Sequence, residues 1–257
     1  MNEDSTVTPA EMLLQELGVT DPGEIDLEAI AHYVGARVRY RALCGCEAHI
    51  LGCNGAAVIT VKNDSSPRRK RFSIAHELGH WRFHRGKTLV CRVDDYKPRD
   101  ALSPEKVADS YAADLLMPRY LFQPRARGLG KLTFDMVDKL GGTFKTSLTA
   151  TSIRLIDLDY VPAFVICHGP RGRKWFARAP CVPRHWFPRE DLDPDSFAFG
   201  VQFGRRPDDP APRKIDADAW FDRSDASRFV VREQTVRTGE DETLTLVLVD
   251  DERMLAD

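Results

Sequence analysis

Arg71-Phe72-Ser73-Ile74-Ala75-His76-Glu77-Leu78-Gly79-His80-Trp81-Arg82-Phe83-His84 is the densest chemical signal in the chain. With no proline after Pro67, this stretch predicts one continuous helix, on which residues four apart share a face. His76 and His80 can then reach a single metal ion, with Glu77 between them aimed at a water on that ion. Phe72, Ile74, Leu78, Trp81 and Phe83 make the helix apolar on more than one side, so it is expected to be buried. A buried helix must satisfy its polar groups, because unpaired ones in a core are costly. Either the histidines find ordinary hydrogen-bond partners or they share an ion, and a third ligand separates the two readings.

A structural zinc site closes with four protein ligands, whereas a hydrolytic one uses three and leaves a position for water. His84 lies eight residues beyond His76, about 12 Å along a straight helix. With metal–nitrogen bonds of about 2.1 Å, it cannot share an ion with both motif histidines, and it reads as a helix-end residue. Phe83 and Gly86 stand where a metzincin would place its glycine and third histidine, which excludes that arrangement. Glu105 is the better third ligand. It opens a later helix, and Asp109 stands one turn on, placed to hydrogen-bond a ligand histidine and fix its tautomer, as in gluzincins. The competing reading is that both acids merely favour the dipole of that helix.

Around this centre, Thr8-Pro9-Ala10-Glu11 reads as a capping box that starts a short helix ending at Gly18, and a second helix runs from Asp26 to Gly35. Runs of strand type at 37–43, 47–51 and 56–61 predict a small antiparallel sheet. The stretch between His84 and Ser103 is polar and broken. Ser103-Pro104-Glu105 then starts a helix that Pro118 ends. Segments 132–140 and 148–158 predict two more helices, of helix-turn-helix length but read as packing elements. From Val161 the texture is strands, with a proline-rich charged region at 180–212 and a hairpin of 229–236 and 243–249 about the turn 238–241.

The 257 residues carry a formal net charge of −2, so charge alone calls for no nucleic acid and no anionic membrane. Met1 to Thr6 lacks a leader pattern and no run approaches a membrane span, which predicts a soluble, cytoplasmic chain. Six cysteines without a C-x-x-C pair predict reduced thiols. Cys44, Cys46 and Cys53 with His49 invite a second metal site or a thiolate latch on the first; small buried cysteines of a hairpin are the preferred reading. Arg68-Arg69-Lys70-Arg71 is a compact basic run, read as a solvated turn with Arg71 tied to an acid, and alternatively as a grip on an acidic substrate. Tyr111, His84 and His49 are the candidates for an oxyanion donor.

The stretch Arg71 to His80, followed by Glu105-x-x-Ala108-Asp109-x-Tyr111-Ala112-Ala113-x-Leu115-Leu116-Met117-Pro118, resembles the ImmA/IrrE family of metallo-endopeptidases over about residues 8 to 157. Asp26-Leu-Glu-Ala-Ile-Ala and Gly45-Cys-Glu-Ala-His-Ile-Leu-Gly also resemble the family's lead-in. The resemblance implies a zincin-like core of helices and a small antiparallel sheet with a helical tail; with the strand texture beyond Val161, which lies outside it, the expected fold is α+β with a second, β-rich C-terminal domain. The corresponding division is 1–157, with core about 8–125 and tail 126–157, then 158–257 as an accessory domain that senses a signal or presents the substrate. It implies His76, His80 and Glu105 as ligands of zinc, or of manganese as the alternative, and Glu77 as general base. The implied substrate is a helix-turn-helix repressor of the phage type, cut to relieve repression under stress or in mobile-element control. The competing function is a non-catalytic metal-binding module that displaces such a repressor, for which Glu77 would have no use.

Overall fold

The computed structural model describes residues 7–84, 103–204, 206–239 and 241–256. The broken run expected before Ser103 falls outside these residues beyond His84, as does Glu240 of the expected turn. The chain divides into two compact units, Met1–Arg125 with Gly141–Ser147, and Ala126–Leu140 with Leu148–Asp257. No helix among the described residues is long and apolar enough to cross a membrane.

In the first unit, α1 (Pro9–Glu16) begins on the Thr8–Glu11 capping box and α2 (Leu27–Tyr33) on the Asp26 carboxylate. Three strands follow, β1 (Ala36–Arg41), β2 (Ala48–Cys53) and β3 (Ala56–Lys62), in the order β1-β3-β2. The sheet is mixed, which corrects the antiparallel expectation: β2 pairs antiparallel with β3, but β1 pairs parallel with it. Asn54 and Gly55, at φ 52° and 80°, form the tight turn that makes β2 and β3 a hairpin. Residues 42–47 carry the chain across to the other side of β3, so β1 runs in the same direction as that strand.

Helix α3 (Pro67–Phe83) starts with the Ser66 side chain accepting from Arg69 N–H, and it buries Ile74, Ala75, Leu78 and Trp81. Its indole Nε1 donates to Val34 O at 2.8 Å. Gly52 makes room for that ring, since a Cβ there would lie 2.6 Å from it. Helix α4 (Pro104–Leu116) crosses α3 at Gly79, where an added Cβ would lie 2.8 Å from Ala108 Cα. This backbone approach needs glycine on one side and a small residue on the other.

Helix α5 (Arg119–Gly128) contains Pro124 and has no counterpart among the expected elements. Buried Glu11 helps to start it, accepting from Arg119 N–H at 2.5 Å as well as from Thr8 N–H at 3.1 Å. The next helix is α6 (Phe134–Phe144).

In the second unit, α7 (Leu148–Asp157), β4 (Ala163–Gly169), β5 (Gly172–Arg178), α8 (Phe197–Gln202), β6 (Arg213–Asp216), β7 (Val230–Arg237) and β8 (Thr243–Val249) build an antiparallel sheet of order β5-β4-β8-β7-β6. Helix α7 packs on β4 and β5, and α8 on β7 and β8. Every residue of β4 and β8 is buried. Phe164, Val247 and Glu233 lie in one row across the strands, and His168 and Thr243 in another on the same face. That face is unusually polar for an interior. Glu233 accepts from Trp220 Nε1 at 2.8 Å and Ala198 N–H at 2.5 Å, and burial pushes its carboxyl up to about 7. His168, 1% exposed, has neither ring nitrogen hydrogen-bonded, and burial followed by the charge of Arg173 holds it down at about 4.

Candidate metal centre

The two ligand-bearing helices are positioned by ordinary local rules. Ser66 and Pro67 start α3 nine residues before His76, and Ser103 and Pro104 start α4 directly before Glu105. The close crossing at Gly79 then sets Glu105 and Asp109 against the histidine face of α3.

The structure brings His76, His80 and Glu105 together. His76 Nε2 lies 3.1 Å from His80 Nε2 and 3.1 Å from Glu105 Oε2, and His80 Nε2 lies 3.4 Å from Glu105 Oε1. Tetrahedral ligands at about 2.0–2.1 Å from zinc stand about 3.4 Å from one another, so this triangle has the size of a coordination face. Among the described residues, these three form the one group of acids, histidines and thiols able to hold an ion.

The chemistry of the donors agrees with the size. Asp109 Oδ1 lies 2.9 Å from His76 Nδ1, and an ionised carboxylate only accepts, so His76 keeps its proton on Nδ1 and turns a bare Nε2 inward. That lone pair meets a second imidazole and a carboxylate, a convergence of acceptors that a cation resolves. His80 is 2% exposed; burial and then the neighbouring His76 hold it down at about 4, so it is neutral and able to donate electrons at ordinary pH. The residues present therefore fit a divalent ion.

Glu77 is 1% exposed on the same turn as the histidines. Burial and then Glu77 raise the thiol of Cys46, which puts that cysteine within electrostatic reach of the carboxylate. The candidate cluster at Cys44, Cys46, His49 and Cys53 does not converge into a metal-holding group among the described residues. Cys44, Cys46, Cys53, Cys167 and Cys181 are all free thiols.

Of the three oxyanion candidates, Tyr111 is 5% exposed, packs edge-on against Phe83 with ring centroids 5.8 Å apart, and is pushed up to about 12 by burial. It fills an aromatic slot. His49 alternates with Ala48, Ile50 and Gly52 and so points to the face of β2 away from Trp81. His84 caps α3, and its Nδ1 lies 3.2 Å from His80 Nδ1, a neighbour of the site that the eight-residue count from His76 had set aside. Its four-residue spacing from His80 was the signal that could have found it.

The basic run is largely absorbed by the fold. Arg69 lies 3.6 Å from Glu47, Lys70 sits over the Tyr40 ring, and Arg71 donates to Ile25 O at 3.2 Å. Burial lowers Arg71, with Asp26 opposing.

No curated protein sequence matches the chain. A solved structure described as a Mycobacterium tuberculosis transcriptional regulator is similar in fold, with a TM-score of 0.61 and 15% sequence identity over 95% of this chain and 87% of that one. The family model Peptidase_M78, described as "IrrE N-terminal-like domain", matches residues 28–155, which span β1 to β3, the paired helices α3 and α4, and all three candidate ligands. Through that domain the chain belongs to the ImmA/IrrE family of metallopeptidase-like regulatory proteins.

Proposed function

We propose that the chain is a metal-dependent endopeptidase that hydrolyses one peptide bond in a helix-turn-helix repressor, relieving repression under stress or in mobile-element control. The observation that carries this reading is the convergence of His76, His80 and Glu105 beside buried Glu77. His76, His80 and Glu105 would hold the ion, zinc or alternatively manganese. When bound, such an ion supplies Lewis-acid polarisation of a carbonyl and brings the acidity of water near neutrality. Glu77 takes the proton of the attacking water and returns it to the departing amide nitrogen. Asp109 holds the His76 ring in the tautomer that leaves Nε2 free. In sequence the catalytic domain is 1–157, of whose tail the segments 126–140 and 148–157 belong to the second compact unit, and 158–257 is an accessory domain that senses a signal or presents the substrate, all within the cytoplasm.

One observation favours a second reading, displacement of a repressor without cutting. The fold is shared with a protein described as a transcriptional regulator. Incubating the zinc-loaded protein and its Glu77→Gln variant with helix-turn-helix repressors from the same cell separates the two. A discrete fragment pair with the parent alone supports hydrolysis. Equal relief of repression by the variant overturns it in favour of displacement.

A further inference from the structure

Each candidate ligand imidazole has an inward Nε2 and an outward Nδ1, and the outward atoms meet different partners. His76 Nδ1 faces the Asp109 carboxylate at 2.9 Å; His80 Nδ1 faces His84 Nδ1 at 3.2 Å. A neutral imidazole that keeps Nε2 bare carries its proton on Nδ1 and needs an acceptor there. Water is a poor supplier for His80, which is 2% exposed. The His84 ring stands at that position, and it is tied to His80 a second time, because the His84 N–H donates to His80 O at 2.8 Å in the cap of α3. The two ring centroids are 5.3 Å apart.

We propose that His84 is a positioning residue: its Nδ1 accepts the His80 Nδ1–H, fixing the tautomer and the ring orientation that turn His80 Nε2 towards Glu105 and His76. This rests on the metal reading above and extends it, since His84 is outside the candidate ligand group and acts through His80. The pair of orienting groups is then asymmetric. His76 leans on a carboxylate from α4, and His80 on an imidazole one turn along its own helix. The eight-residue separation that keeps His84 off the ion places it where the second ligand needs support.

The test is zinc affinity of the metal-free protein, measured by competition with a chromophoric chelator, together with the visible absorption of bound cobalt. Loss of an outer hydrogen-bond partner typically weakens metal affinity about 10- to 100-fold. His84→Ala and His84→Leu are expected to fall in that range, Leu serving as the variant that keeps the ring's bulk should Ala disturb the helix end. His84→Asn, which returns a short acceptor, is expected to recover to within about threefold of the parent, with the parent's cobalt spectrum. If either folded acceptor-free variant binds zinc as tightly as the parent, or if Asn is no better than Leu, the positioning role is overturned. His76→Ala is the control that isolates the underlying reading: if it and the parent bind zinc alike, the site itself is wrong and this proposal falls with it.

Discussion

Gly79→Ala pits helix propensity against packing in a way that gives opposite signs. In the interior of an exposed helix the exchange would stabilise by about 1 kcal/mol, because alanine restricts the unfolded chain more than glycine does. At this position the new Cβ would stand 2.8 Å from Ala108 Cα, 3.0 Å from Ala108 O and 3.2 Å from Ala108 Cβ. Carbon atoms rest at about 3.5–4.0 Å, so α4 must retreat by more than half an ångström at the crossing. Overpacking of this kind costs about 1–3 kcal/mol, which outweighs the propensity gain, and the metal-free variant should lose roughly 0–2 kcal/mol. The larger effect falls on the site. Ala108 lies between Glu105 and Asp109, and metal–ligand distances tolerate only about 0.2 Å, so zinc affinity should drop at least about tenfold. The assay is urea unfolding of the metal-free protein with a parallel zinc titration. Adding Ala108→Gly should not rescue the variant, because the nearest obstacle is the Cα. A variant that is about 1 kcal/mol more stable and binds zinc like the parent would refute the close-crossing account.

Asp109→Ala removes the acceptor of the His76 Nδ1 proton and should weaken zinc binding about 10- to 100-fold in the same titration, without abolishing it. Adding zinc to the metal-free protein at about 100 times its dissociation constant should stabilise it by about 2.7 kcal/mol, seen as a rise in Tm that chelator reverses; an unmoved Tm would count against the site. Glu233 has a folded-state pKa raised from 4.5 to about 7, so its contribution to stability is fully present below pH 4.5 and is lost as pH rises through 7. Glu233→Gln should flatten that loss, on the order of 3 kcal/mol, in unfolding curves taken from pH 4.5 to 8. His168 works in the opposite sense: its folded pKa is lowered from 6.5 to about 4, so its contribution is present above pH 6.5 and is lost on acidification towards 4. His168→Phe should steepen the net alkaline loss in the same curves, because the opposing slope is gone.

Much of the first unit was legible because its signals are local. Caps at Thr8, Asp26 and Ser103, prolines at the first helical position and period-2 strand runs each act within a few residues, and the elements fall where they point. The meeting of His76, His80 and Glu105 was legible for the same reason: four-residue spacing fixes which side chains share a helix face, and two such pairs were enough to anticipate it. Strand direction was not, because nothing in 37–62 records which edge of β3 is taken by β1. Helix α5 was hidden because it follows directly on Pro118, which ends the preceding helix, and contains Pro124; its start is supported by Glu11, more than a hundred residues away in sequence. His84 ends α3 and stands outside the candidate ligand group, as its spacing from His76 indicates, but that spacing says nothing about its contact with His80.

The all-buried strands β4 and β8 carry a consequence for any attempt to engineer or label the second unit. With α7 on one part of the sheet and α8 on another, the central strands offer no open face on which a partner could lie flat. A molecule that communicates with this module must therefore work at its margins, along the outer strands β5 and β6 or through the covering segments, where Phe187 and Phe203 are 55% and 51% exposed. Fluorophores or fusion tags fit at those margins without repacking; the same labels on the central strands would first have to unseat the cover.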